Sequence, residues 1–177
     1  MRRPLAILLT LVALVPLAAA TGCGGKDKVV TTTNAQGQVS TRTVPSVRFA
    51  KLKFVLHAGL AYGAFHRYVY KPYRTGAFKS GANGRTKALV KAGAAALFAA
   101  NELRLARRAA LSDDRLRAIG DKIAGLAPNL NSLASGLKSG QGLAAIAGVG
   151  GGLAAIVAAA KKAGVNIPLD KTPNVGG

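Results

Sequence analysis

Between residues 116 and 137 the apolar positions keep one unbroken rhythm. Leu116, Ile119, Ile123, Leu126, Leu130, Leu133 and Leu137 follow one another at alternating spacings of three and four. A helix with that repeat presents a heptad seam. Beside the seam, Gly120, Ala127, Asn129, Ala134 and Gly136 are small or uncharged rather than paired Glu and Lys. The pattern therefore predicts close packing inside an antiparallel bundle, not a charge-paired parallel coiled coil. Pro128 falls within the run, lacks an N–H and crowds the carbonyl one turn back. A kink or break is expected there, with the seam continuing across it.

Three more stretches read as helices. Over Lys51 to Tyr70, a rotation of about 100° per residue puts Phe54, Ala58, Ala61, Phe65 and Val69 on one side. Tyr62 and Tyr68 flank that side, and Gly59 and Gly63 lie opposite, where another helix has room to approach. Lys71-Pro72 is expected to end this helix, followed by a loop of glycines and cations up to Arg85. The next helix is predicted from Thr86, as N-cap, to about Leu111, with Leu89, Gly93, Ala96, Ala100 and Leu103 as its inner stripe. Ser112 then reads as the N-cap of the seam helix, with Asp113 and Asp114 against its positive end and Asp113 paired to Arg117 at i, i+4. The last helix, Gly142 to Ala163, has Leu143, Ile146, Val149, Leu153, Ile156 and Val157 on one side. Ala144, Gly148, Gly151, Gly152, Ala155 and Ala159 share the other.

The expected architecture is all-α: a small bundle of about four to five helices over residues 48–165. A polar, Thr-rich tether precedes it over residues 23–47. Its Asn34-Ala35-Gln36-Gly37 turn signal allows a short β-hairpin as the alternative to an extended spacer. Residues 166–177, rich in Pro and Gly, are expected to be a disordered tail.

Composition changes what kind of core this is. Half of the 177 residues are hydrophobic but only 5% are aromatic, and Ala and Gly dominate. The core must then come from close backbone approach rather than bulk. The formal net charge is +19, a field that attracts polyanions and says nothing about fold. A single cysteine excludes an intrachain disulfide.

That cysteine belongs to the most specific motif in the chain. Arg2 and Arg3 precede an uncharged run from Leu5 to Ala20, too short for a spanning helix and suited to the hydrophobic region of a signal peptide. The run ends in Ala20-Thr21-Gly22-Cys23, which resembles the lipobox of bacterial lipoprotein precursors. The resemblance implies a signal peptide over residues 1–22, diacylglyceryl transfer to the Cys23 sulfur, and cleavage between Gly22 and Cys23. It further implies acyl chains, palmitate among them, that hold the mature protein on the extracytoplasmic face of the cell membrane. Ala18-Ala19-Ala20 also fits the A-x-A site of the general signal peptidase, which would release a protein with a free Cys23.

Candidate chemistry is sparse. The acids are Asp27, Glu102, Asp113, Asp114, Asp121 and Asp170, and those on helices read as caps or i, i+4 partners. His57 and His66 stand nine residues apart, on opposite faces of one helix, so they cannot share a metal there. Neither a G-x-S-x-G nor a Walker A sequence occurs. No catalytic residue, metal or cofactor is expected; an enzyme using His57 or His66 would need an acidic or polar partner from another helix. The segment His66 to Arg74 interleaves aromatics with cations. This makes Arg67, Lys71, Arg74, Lys79, Arg85 and Lys87 candidates for contact with an anionic surface, and Tyr68, Tyr70 and Tyr73 candidate interface aromatics. The expected function is a lipid-anchored, basic, non-enzymatic component of the cell envelope that contacts anionic lipid or wall polymer; nucleic acid is not an expected partner at that location. The alternative is a membrane-active protein whose Gly/Ala-rich last helix inserts and self-associates through small-x-x-x-small spacing.

Overall fold

The computed structural model describes residues 28–33, 38–44 and 46–169. The expected signal peptide, Cys23 and the last residues of the expected tail lie outside them. The protein is an all-α bundle following a β-hairpin. Strand β1 (Lys28–Thr33) pairs antiparallel with β2 (Val39–Val44), from Lys28 opposite Val44 to Thr33 opposite Val39. The Thr-rich tether thus takes the hairpin alternative. Val29, Thr31, Val39, Thr41 and Thr43 share one face of the ribbon and are exposed.

Helix α1 (Ala50–Phe65) leads into a five-residue π segment (His66–Tyr70) and a short α2 (Lys71–Arg74). Lys71-Pro72 therefore does not end the helix, contrary to expectation. Pro72 has no N–H for the Tyr68 carbonyl four residues back, and its ring would crowd that oxygen. The π turn, in which the Lys71 N–H donates to the His66 carbonyl, opens the ladder just before the proline and relieves the conflict.

Helix α3 (Arg85–Leu111) starts from Gly84, a left-handed residue with φ of 69°, rather than from Thr86. Helix α4 (Arg117–Lys138) runs unbroken through Pro128, so the expected break is absent. Its start also differs from expectation. Ser112 closes α3, with its hydroxyl donating to the Arg108 carbonyl, and the acid paired with Arg117 is Asp114, not Asp113. Asp113 instead accepts from the Arg115 N–H in the turn. Helix α5 (Ala145–Lys162) completes the bundle.

The four long helices run up, down, up and down. His57 on α1 meets Glu102 on α3, Gly93 on α3 lies against Ala134 and Lys138 on α4, and Gly152 on α5 lies against Leu126 on α4. All seven seam residues of α4 are buried, as are Phe54, Ala58, Ala61, Phe65 and Val69 of α1. Helix α3 supplies two inner stripes. Besides Leu89, Gly93, Ala96, Ala100 and Leu103, it buries Ala92, Ala95, Ala99, Glu102, Ala106 and Ala109, also at 3,4 spacing. Alanines at these positions let α1 and α4 come close to its backbone, which is how so few aromatics suffice.

Two expectations about the back of α1 and the tail need correcting together. Gly59 is covered not by a helix but by the chain after α5: a Cβ there would come within 3.3 Å of the Pro168 carbonyl oxygen and 3.5 Å of Ile167. Val165 and Ile167 are buried, so the tail is packed through Ile167. Ile167 sits over the shallow strip that Gly59 leaves open.

Candidate functional site

Both ends of the bundle carry cations, and one of them carries no acid among the described residues. Antiparallel packing brings the π segment, α2, the following loop and the first turns of α3 together, and this end carries Arg67, Lys71, Arg74, Lys79, Arg85, Lys87 and Lys91. Lys138, at the end of α4, joins them beside Gly93. No acid occurs between Asp27 and Glu102. Among the described residues the acids are Glu102, about two thirds of the way along α3, and Asp113, Asp114 and Asp121, around the turn at the opposite end. At this cationic pole no acid stands among the described residues.

Two grooves shape it. The first, of about 320 Å³, lies between the α1–α2 segment and α3, lined by Arg67, Tyr68, Lys71, Pro72, Ala77, Ala88 and Lys91. Its floor is apolar, and three cations from two helices stand around it. The Arg67 guanidinium also lies over the Tyr68 ring, 5.4 Å from its centre. The second groove, on the other flank of α2, is lined by Tyr73, Arg74, Gly76, Phe78, Lys79 and Leu143. Phe78 is buried and fixes the loop that carries Lys79.

No family model, curated protein or solved structure matches the chain. The site must be read from its own residues.

The sequence-derived candidates separate into groups here. Arg67 and Lys71 share the first groove with Lys91 of α3, which was not among the candidates. Arg74 and Lys79 share the second groove. Lys87 is exposed on the first turn of α3. Arg85 is already engaged: its Nε donates to the Phe78 carbonyl at 3.0 Å, and its guanidinium lies over Gly140. It ties the loop to the α4–α5 turn. The three tyrosines do not form one belt. Tyr68 and Tyr73 face the first and second grooves, while Tyr70 turns to α5 and lies against Gly150. Residues two apart on a helix point about 200° apart, so a dense aromatic sequence is split among flanks.

The histidines also separate. His66 is exposed and lies between Tyr62 and Tyr70, with ring centroids 5.8 and 5.7 Å away. His57 has the acidic partner from another helix that the sequence did not reveal. Its Nδ1 lies 2.7 Å from Glu102 Oε2. Glu102, 7% exposed, is the one charged residue in the core among the described residues. The sequence did hold a signal: Glu102 occupies a position in an otherwise all-alanine 3,4 stripe, and an acid there needs a partner. The pair joins α1 to α3. No group of three or more His, Cys, Asp or Glu that would hold a metal occurs among the described residues.

Proposed function

We propose that this protein is a lipid-anchored, non-enzymatic component of the cell envelope, held through Cys23, whose cationic pole binds the anionic groups of envelope material. The observation that carries this reading is the first groove, where Arg67, Lys71 and Lys91 converge from two helices at an end without acids among the described residues. Phosphate or carboxylate groups suit such a rim, and nearby apolar floor leaves room for the uncharged part of the same ligand. Binding of this kind weakens as salt screens the charges. The double variant Lys71→Glu with Lys91→Glu is expected to lower affinity for isolated wall polymer or anionic vesicles at least about tenfold at low salt. Co-sedimentation across a salt series measures this. Salt-insensitive binding, or unchanged affinity in the variant, would sink the reading.

One observation favours a second reading, insertion of α5 into a membrane. The helix is long and apolar enough to cross by length and composition alone. Its inner side is buried through Ile146, Val149, Leu153 and Ile156, whereas Ala147, Gly148, Gly151, Ala154, Ala155 and Ala158 are exposed. Ala and Gly supply little transfer free energy, which favours α5 as a bundle helix. The chain from residue 23 onward, carrying Cys23→Ala, is therefore expected to leave vesicles on alkaline carbonate extraction. Retention would favour insertion.

A further inference from the structure

Three large hydrophobic side chains stand in water where the tether joins the bundle. Phe49, Leu52 and Leu56 are 70%, 67% and 52% exposed. Leu52 and Leu56 are one turn apart on the outer face of α1, and Phe49 precedes them by three residues. Arg48, Lys51 and Lys53, all exposed, are interleaved with them. Phe49 is also the one non-glycine with positive φ among the described residues, at 56°. A phenylalanine is strained in that left-handed region. Its ring nevertheless points outward, 5.8 Å from the Arg48 guanidinium, rather than into the core.

Exposed apolar strips are costly in water unless something covers them. A strip of Phe and Leu flanked by cations has the composition of a helix lying in a headgroup layer, with its apolar side chains at the acyl boundary and its cations near lipid phosphates. A second copy of the chain is a poorer occupant, because a two-fold contact would set Arg48, Lys51 and Lys53 against their own equivalents. We propose that the start of α1 seats the domain on an anionic bilayer, with Phe49, Leu52 and Leu56 inserted at the interface and Arg48, Lys51 and Lys53 on the phosphates. The biological setting rests on the membrane location in the reading above, but the patch lies at the opposite end of α1 from the cationic pole.

The test uses the chain from residue 23 onward with Cys23→Ala, so that no acyl chain contributes. It is expected to co-float with vesicles containing phosphatidylglycerol and not with phosphatidylcholine alone. Phe49→Ser, Leu52→Ser and Leu56→Ser together are expected to reduce partitioning at least about tenfold, with helical circular dichroism unchanged because the three side chains are exposed. An environment-sensitive fluorophore on Leu52→Cys is expected to shift to the blue with anionic vesicles. Equal flotation of the parent and triple variant overturns the proposal, as does no flotation of the parent or an unshifted fluorophore on floated protein. Failure of the cationic-pole reading would look different. Lys71→Glu with Lys91→Glu would then bind wall polymer like the parent, whatever happens at Leu52.

Discussion

Leu130→Ala is expected to destabilise the bundle by about 2–5 kcal/mol, the usual cost of a leucine-to-alanine change in a core that cannot collapse onto the gap. Leu130 is fully buried at the middle of the α4 seam. Two features make the upper half of that range the expectation. The facing stripes of α3 are mostly alanine and glycine, which have no flexible side chains with which to refill the space. Pro128, two residues earlier, limits how far the α4 backbone can shift. Urea unfolding should show a lower midpoint with an unchanged slope. A loss below about 1 kcal/mol would mean that the α3–α4 packing described above is wrong.

The second large effect concerns the His57–Glu102 pair. His57→Ala is expected to cost about 2–3 kcal/mol, because Glu102 would stay buried with no group in place of the imidazole. The informative comparison is the double variant. Converting Glu102→Leu in the His57→Ala background removes the buried carboxylate and is expected to recover much of the loss, whereas additive losses would show that the two side chains do not depend on each other. The cycle separates a penalty for unpaired charge from one for lost packing, which the single variant cannot do.

These two sites differ in how readable they were. Leu130 was legible because a heptad repeat makes burial periodic, and every seam position from Leu116 to Leu137 lies in the core. The inner face of α1 was legible for the same reason. The His57–Glu102 pair was not, since periodicity places residues around one helix and is silent on which residues of two helices share a level. Lys91 escaped for that reason too; it completes a groove with Arg67 and Lys71, twenty and more positions away. Boundaries failed for local reasons. Ser112 carries a good N-cap side chain but uses its hydroxyl on the preceding helix, and Pro72 is accommodated by a π turn that no residue pattern announces. The exposure of Leu52 and Leu56 was implicit in the same periodicity, which puts them off the stripe of Phe54, Ala58, Ala61, Phe65 and Val69.

The hairpin before the bundle sets a distance. Lys28 lies opposite Val44, so the stretch between them spans ~5 Å, the separation of paired strands. Fully extended, the same residues would cover ~55 Å. Of the chain between Cys23 and the first turn of α1, only the few residues on either side of the ribbon contribute to reach. How far the helices can stand from residue 23 is therefore governed by strand pairing rather than by residue count.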